Sequence, residues 1–388
     1  MKNNNIRKPK MKTRFLSSVS GMLLVLAACT VEGAPPSALT ASPQSFATEN
    51  RAPASTTNQA PTATQTLTPT LTLTPTPAPM LRQLTTGGCC VQPFWSADGT
   101  QVRYIDRPDQ TVPSGLWGVD VSGGEPEFIT DRLGIVSPDG SLIAYPEAGE
   151  TNIERTSDGQ RWVVPSGGRA ISFSPDGSLI AWQVALSQVN FDRRTVEVWV
   201  ARVDGSEARL VDELTGGGLS GWFPDGMRLL VSGRESPDAD PFLAVLSIGD
   251  ASLTVITQAE RLRGGSISPE GGWIAYQVTF SSDPALDGMW VARADGSEAR
   301  RLDVFGPYRW RSEGRLLVIP LEMSNGAESV SHRVTEADAA SGEVRALTDP
   351  ALTPFRIAGG DWTLSPNGNR ITFVSAEDHN IWIIDLVP

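Results

Sequence analysis

Residues 174–182 read SPDGSLIAW, a short polar turn followed by an apolar run. In such a turn Pro175 fixes φ at the first corner, Asp176 tolerates the second corner, and Gly177 takes the left-handed position. A turn of this kind joins two antiparallel strands when apolar residues flank it. Phe173 before the turn and the run LIAW after it supply those residues. The stretch therefore predicts a β-hairpin.

The same four-residue turn pattern recurs along most of the chain. Its third position returns at intervals of 37 to 54 residues, a period typical of a solenoid or propeller. The copy that reads RSEG is the weakest, and the longest interval follows it. The seven copies are 96–99, 137–140, 174–177, 223–226, 268–271, 311–314 and 365–368.

The sequence around each turn predicts four strands per repeat. A third strand reads VWVA at 198–201, and a shorter fourth reads ARLV at 208–211. Residues 198–210 and 289–301 are nearly identical, so two repeats share this layout. No sustained helical periodicity interrupts residues 81–388. We therefore predict an all-β fold, a seven-bladed β-propeller of four-stranded antiparallel blades.

The two ends of this region predict how the ring closes. The last repeat reaches residue 388 just after its third strand, and its fourth strand is missing there. Residues 81–85, LRQLT, have the fourth-strand pattern and precede the first turn. The N-terminal strand is therefore predicted to complete the seventh blade, which removes an exposed sheet edge.

The N-terminal residues have the layout of a bacterial signal peptide. Basic residues without any acid, from Lys2 to Arg14, precede an apolar stretch that is too short to span a membrane. The stretch ends in LAAC at 26–29, which resembles the lipobox of bacterial lipoproteins. That resemblance implies cleavage before Cys29 and attachment of lipid to its sulfur, which anchors the chain to a membrane.

A spacer follows the predicted lipidation site. Residues 61–79 read PTATQTLTPTLTLTPTPAP, a composition that cannot bury a core and favours an extended chain. We predict a signal peptide at 1–28, a lipidated cysteine and disordered tether at 29–80, and a propeller at 81–388. The expected location is extracytoplasmic, in the cell envelope, anchored to the bacterial cell membrane or the outer membrane.

The SPDG turn followed by an I-A-Y/W strand, as in SPDGSLIAY at 137–145, resembles the TolB-like propeller repeat, a WD-like family. The resemblance covers residues 81–388 and implies the propeller fold, but it carries little information about function. The chain departs from TolB in its lipobox, its lack of a separate N-terminal α/β domain, and its seven repeats in place of six. The partners of TolB are therefore not carried over.

Composition argues against several function classes. A net charge of −12 argues against nucleic-acid binding. Two histidines cannot supply the three imidazole ligands of a His₃ zinc site. Neither His332 nor His379 has a serine or cysteine motif beside it, and no G-x-S-x-G run is present. We therefore predict no catalytic residues, no cofactor and no metal, and enzyme activity is the less favoured hypothesis.

Three arginines occupy one equivalent position, seven residues before the turn acid: Arg132, Arg169 and Arg263. This position lies where the innermost strand of each repeat starts, and the innermost strands of a propeller line its channel. Guanidinium groups bind carboxylate or phosphate through two parallel hydrogen bonds. Our hypothesis is a cationic channel mouth that binds an anion. The alternative is that each arginine pairs with an acidic loop of a neighbouring blade.

Two further features leave alternatives open. Cys89 and Cys90 are adjacent, and they either form a vicinal disulfide or stay as thiols. The long loops between second and third strands are acidic, which fits a solvated rim or, alternatively, a Ca²⁺ site. None of these loops has the EF-hand spacing.

The favoured function is a membrane-anchored scaffold that binds a protein, peptide or glycan without catalysis. One alternative is a hydrolase or lyase that acts on an anionic substrate in the channel. Another is a structural subunit of an envelope complex, which a large exposed apolar patch would favour.

Overall fold

The repeats fold as antiparallel meanders, in which consecutive strands are neighbours. The computed structural model describes residues 79–109, 111–186, 190–321 and 331–386. These residues form six antiparallel sheets and one short 3-10 helix, η1 (Phe191–Arg193). The prediction of an all-β fold is confirmed. The predicted signal peptide, Cys29 and nearly all of the predicted tether lie outside the described residues.

The described residues contain twenty-seven strands. Those up to the third repeat are β1 (Met80–Gln83), β2 (Val91–Trp95), β3 (Gln101–Asp106), β4 (Gly115–Asp120), β5 (Glu127–Thr130), β6 (Ile135–Val136), β7 (Leu142–Glu147), β8 (Glu150–Arg155), β9 (Arg161–Val164), β10 (Ser172–Phe173), β11 (Leu179–Ala185), β12 (Thr195–Arg202) and β13 (Arg209–Trp222). Those that follow are β14 (Arg228–Arg234), β15 (Pro241–Ser247), β16 (Leu253–Gln258), β17 (Leu262–Ile267), β18 (Trp273–Val278), β19 (Gly288–Arg293), β20 (Ala299–Leu302), β21 (Tyr308–Ser312), β22 (Arg315–Val318), β23 (Thr335–Asp338), β24 (Val344–Ala346), β25 (Ile357–Leu364), β26 (Arg370–Ser375) and β27 (Ile381–Asp385).

Five of the six sheets have four strands. Strands β2–β5, β6–β9, β17–β20 and β21–β24 each form one sheet in chain order, and the fifth has the order β1-β27-β26-β25. Strands β10–β16 form a single seven-stranded sheet that spans the third and fourth repeats. Among the described helices, none has the length and apolar character of a membrane span.

The seven-stranded sheet arises because β13 serves two repeats. Its first half pairs with β12 and its second half pairs with β14, with a register shift between Thr215 and Gly218. The backbone at Gly216 and Gly217 has φ of 65° and 59°, the left-handed region that glycine adopts without strain. The chain therefore bends inside one strand where the sequence predicts a loop between two.

The turns of the repeat are held by their own side chains. In the third repeat the Ser174 hydroxyl donates to the Asp176 carboxylate over 2.6 Å, and it accepts from the backbone N–H of Leu179 over 2.9 Å. Gly177 has φ of 69°, as the turn type requires. These bonds give the recurring serine, aspartate and glycine of the pattern a local structural role.

The core consists of clusters in which one sheet packs on the next. Ile153 of the second repeat packs with Ile180 and Trp182 of the third, and corresponding clusters join the third to the fourth repeat and onwards to the seventh. Burial of these apolar faces is the main favourable term in such a fold.

The first and last repeats are also in contact. Trp95 and Tyr104 of the first repeat share a cluster with Ile381 and Ile383 of β27. Strand β1 pairs antiparallel with β27, from Met80 opposite Asp385 to Gln83 opposite Trp382. The strand begins at Met80, one residue before the predicted start of the propeller.

Candidate functional site

The meander gives each sheet two different ends. The end that carries the turns between strands one and two and between strands three and four is called the turn end here. The opposite end, which carries the loops between strands two and three and between consecutive repeats, is called the loop end. The turn end repeats the Ser-x-Asp-Gly pattern with few changes, whereas the loop end differs in sequence from one repeat to the next. A binding site is therefore expected at the loop end.

Two adjoining cavities open at the loop end and share Gly264. The larger has a volume of about 830 Å³ and reaches down the inner strands β17, β21 and β25. The smaller has a volume of about 280 Å³. The arginines and the exposed apolar side chains that line this pair of cavities are Arg234, Arg261, Arg263, Arg309, Phe191 and Leu321.

Arg263 is the most available cation at these cavities. It lies in β17, where the register against β18 shifts between Arg263 and Ser266, and its side chain is exposed. Within the described residues it has neither a hydrogen-bond partner nor an ion-pair partner. By contrast, Arg234 forms a 3.0 Å ion pair with Asp192. The charge of Arg263 is therefore free to meet a ligand.

Arg309 belongs to the same site and was not predicted from the sequence. It lies on the inner strand β21, with its guanidinium 5.1 Å from the centre of the Trp362 ring. Solvent reaches the side chain, yet desolvation by the surrounding protein lowers its pKa, and the nearby Asp361 opposes that effect. Arg309 stands four residues before the turn acid, where other repeats carry apolar or small residues, and that exception is the signal that identifies it.

Arg132 lies in a different environment. Its guanidinium is 3.8 Å from each of the carboxylates of Asp131, Glu147 and Glu154 and lies over the ring of Tyr145. It lines a separate cavity of about 220 Å³. The acidic neighbours compensate its charge. Glu147 and Glu154 belong to the sheet β6–β9, which Arg132 itself precedes, and not to a loop of a neighbouring blade.

Arg169 is exposed and bonds to its own loop. Its Nη1 donates to the carbonyl oxygen of Ser166 over 2.9 Å, and its carbonyl oxygen accepts from the Thr151 hydroxyl over 2.8 Å. Arg169 lines neither of the adjoining cavities. Arg132, Arg169 and Arg263 therefore share a position in the repeat without lining one common cavity.

Cys89 and Cys90 lie in the loop between β1 and β2. Their sulfur atoms are joined as a vicinal disulfide, and both side chains are half-buried against the cluster that contains Trp95 and Tyr104. The Thr85 hydroxyl lies 3.1 Å from the Cys89 sulfur and accepts from the backbone N–H of Ile381. The loop therefore lies between the closing strand and the first repeat.

Other candidate groups do not themselves line these cavities. The ring of His332 lies against Phe355, and its Nδ1 accepts from the backbone N–H of Ile357 over 3.2 Å. Asp238, in an acidic loop, pairs with Arg193 over 2.6 Å. In the described residues, one group of three side chains has atoms close enough to hold a metal ion, and it contains the two cysteines and Asp106.

No family model matches the sequence, and no curated protein sequence matches it. Solved structures are similar in fold. An oligogalacturonate lyase from Vibrio parahaemolyticus superposes with a TM-score of 0.57 at 12% identity, covering 79% of this chain and 97% of the lyase. A putative TolB from Agrobacterium tumefaciens has 20% identity and a TM-score of 0.41, covering 68% and 94%. The β-propeller domain of the trilobed protease from Pyrococcus furiosus has 13% identity and a TM-score of 0.46, covering 77% and 85%.

These identities are too low to carry function from one chain to another. The fold class rests on the four-stranded meanders packed face to face and on the likeness to the lyase structure. Both support the β-propeller class. The TM-scores of the putative TolB and of the trilobed protease domain are too low to support the fold class.

Proposed function

We propose that this protein is a lipid-anchored, extracytoplasmic, seven-bladed propeller that binds an anionic protein, peptide or glycan without catalysis. Seven turn motifs support the blade count, with β13 shared between the third and fourth blades. The pairing of β1 with β27 and the packing of the first repeat on the last support closure of the ring. The lipobox at Cys29 supports the anchor.

The observation that carries the anion site is the uncompensated charge of Arg263. It lies beside Arg261 and Arg234 in one cavity, and the adjoining cavity contains Arg309. Among these cations, Asp192 pairs with Arg234, while Arg261 is 3.9 Å from Glu260. In a chain of net charge −12, this concentration of cations fixes where an anionic group binds most favourably.

The rim of the cavities suggests what accompanies the anionic group. Phe191 is 55% exposed and Leu321 is 62% exposed, and each lines one of the two cavities. Apolar side chains of this kind pack against the apolar face of a sugar ring or against an aliphatic side chain. A ligand with carboxylates on an otherwise uncharged frame, such as an acidic glycan or an acidic peptide, fits both features.

The second candidate is an enzyme that cleaves an anionic substrate in the same cavities. It draws on the cationic lining, and the fold-level likeness to oligogalacturonate lyase supplies the substrate to try first. A lyase would leave an unsaturated sugar with its own ultraviolet absorbance. If oligogalacturonate binds and the absorbance of the unsaturated product then appears, the enzyme is favoured. If it binds and no such absorbance appears, the scaffold is favoured.

The test measures the binding of anions to the full chain by thermal shift and by calorimetry. The probes are oligogalacturonate, a glutamate-rich peptide and a sugar phosphate, with methyl-esterified oligogalacturonate as the uncharged control. A ligand that binds only the native state raises the melting temperature. We expect Arg263→Ala to weaken binding at least tenfold, about 1.4 kcal/mol.

Two control variants make this test specific. Arg202→Ala removes a half-exposed arginine at the turn end, where it pairs with Glu207 over 2.8 Å, and we expect unchanged binding. Arg132→Ala removes the compensated arginine, and we expect little change. The anion site is wrong if no probe binds or if Arg263→Ala binds as the unaltered chain does. The absence of binding by any probe would favour a structural role in an envelope complex.

A further inference from the structure

Cys89, Cys90 and Asp106 form a cluster separate from the arginine-lined cavities. One sulfur from each cysteine and one carboxylate oxygen of Asp106 all lie within 4.8 Å of one another. All three side chains are half-buried. The cysteines come from the loop before β2 and the aspartate from the end of β3, so the fold brings them together. The cluster therefore places two soft ligands and one hard ligand around one point.

We propose that the reduced cysteine pair, together with Asp106, binds a thiophilic divalent cation of the Zn²⁺ class. Zn²⁺ binds thiolates at about 2.3 Å and carboxylate oxygens at about 2.1 Å. Tetrahedral geometry with such bonds holds the ligand atoms roughly 3.5–3.8 Å apart. In the oxidised chain the three atoms lie within 4.8 Å of one another. Reduction frees the two sulfurs to move apart to the tetrahedral spacing.

The Thr85 hydroxyl or a water molecule completes the coordination. Thr85 Oγ1 lies 3.1 Å from the Cys89 sulfur and 4.0 Å from the Cys90 sulfur. The same oxygen accepts from the backbone N–H of Ile381, at the start of β27. An ion bound there would tie the closing strand, the loop and β3 together.

The disulfide is the metal-free oxidised state of the same pair. A dithiol reductant donates two electrons and two protons to it, the sulfur–sulfur bond breaks, and two thiols form. The reductant closes to its own disulfide, so the exchange balances. Binding of the cation then releases the two thiol protons, because thiolates are the ligands.

The experiment uses the full chain with Cys29→Ser, which leaves Cys89 and Cys90 as the only cysteines. The chain is reduced with a dithiol, the reductant is removed without air, and Zn²⁺ or Co²⁺ is added. We expect one ion per chain by native mass spectrometry, and Co²⁺ should give the near-ultraviolet charge-transfer bands of thiolate ligation. The oxidised chain should bind at least tenfold more weakly.

Trypsin reports the oxidation state separately. Cleavage after Arg82 and Arg103 releases the peptide 83–103, which holds Cys89 and Cys90 and no other cysteine. Its mass without reduction differs by two hydrogens between the disulfide and the dithiol. This check confirms which state each metal titration contains.

Three variants decide the outcome. Cys89→Ser/Cys90→Ser should abolish the cobalt bands, and Asp106→Asn should weaken Zn²⁺ binding at least tenfold. Asp109→Asn makes the same charge change at an exposed acid three residues after Asp106 and should bind as the parent does. The proposal is overturned if the reduced parent binds no ion, if the double serine variant still binds, or if Asp106→Asn binds unchanged. Melting curves establish that each variant is folded.

Discussion

The turns of the third and sixth repeats share a left-handed glycine but have different supports. Gly177 and Gly314, their fourth residues, both have φ of 69°. In the third repeat Ser174 and Asp176 bond to each other inside the turn. In the sixth repeat the corresponding residues are Arg311 and Glu313, and their contacts leave the turn.

The side chains of the sixth turn contact both neighbouring repeats. The Glu313 carboxylate accepts from the backbone N–H groups of Glu270 and Gly272, over 2.9 and 3.1 Å. Arg311 donates to the carbonyl oxygen of Gly368 and forms a 2.8 Å ion pair with Glu336. The weak motif at 311–314 is therefore an intact turn in which contacts between sheets replace contacts within the turn.

The largest expected effect concerns Glu336, which supports the sixth turn. Its side chain is 4% exposed and is held by Arg311 and by Arg345, the latter at 2.7 Å. Glu336→Ala leaves Arg311, itself 12% exposed, without its carboxylate. We expect a loss of about 3 kcal/mol in the free energy of unfolding, measured by urea denaturation.

A neighbouring acid provides the matched control for that variant. Glu336 and Glu343 both line a cavity of about 490 Å³, but Glu343 is exposed. Glu343→Ala should therefore change the free energy of unfolding by less than about 0.5 kcal/mol. If Glu336→Ala and Glu343→Ala lower the free energy of unfolding equally, burial of the Arg311–Glu336 pair does not contribute to stability.

The second-largest expected effect is the difference in stability loss between variants of the two turn acids, Glu313 and Asp176. Glu313→Ala removes an acceptor from two backbone N–H groups of another sheet, and we expect a loss of about 2 kcal/mol. Asp176→Ala removes bonds within one exposed turn, and we expect about 1 kcal/mol. Urea denaturation of both variants tests the order. A larger loss for Asp176→Ala would contradict the view that the sixth turn holds neighbouring sheets together.

The smallest effect is a dependence on pH. The hydrogen bond from Ser96 lowers the pKa of Asp98 to about 2, and bonds from Thr100 act in the same direction. An unfolded aspartate has a pKa of about 3.9, so the stabilisation is complete above that value and is lost as pH falls towards 2. The seventh turn makes the corresponding bonds with Asn367, which does not titrate.

Exchange of these two residues sharpens the comparison. Asp98→Asn should fold at neutral pH. Between pH 4 and 2, the number of protons that it takes up on unfolding should be lower than that of the parent by as much as one. Asn367→Asp should take up to one proton more. Urea denaturation across this pH range measures both differences, and parallel pH profiles for all three chains would refute the local origin of the effect.

The sequence predicted the turns and strands because their causes are local. A proline, an aspartate and a glycine in succession set the backbone of a turn, and alternating apolar residues set the strands beside it. The predicted third strand at 198–201 lies within β12, and the predicted fourth strand at 208–211 overlaps the start of β13. The continuous course of β13 was not predicted, because the glycines at 216–218 read equally well as a loop.

The candidate site was predicted only in part, for a related reason. The repeat placed Arg132, Arg169 and Arg263 at one position, but repeat position does not determine the charges around each one. Arg132 is compensated because Glu147 and Glu154 lie beside it, whereas Arg263 has no such neighbour among the described residues. Arg309 belongs to the site because β21 lines the larger of the two cavities that share Gly264.

The sequence by itself determined the all-β class, the repeat and the chemistry of the turns, because short-range backbone preferences fix these features. Tertiary structure alone decided which arginine keeps an uncompensated charge and that Asp106 lies beside the cysteine pair. It also decided that Glu313 supports the turn of another repeat. Charge compensation and metal ligation depend on distances of a few ångströms between residues far apart in the chain, and packing of the sheets sets those distances.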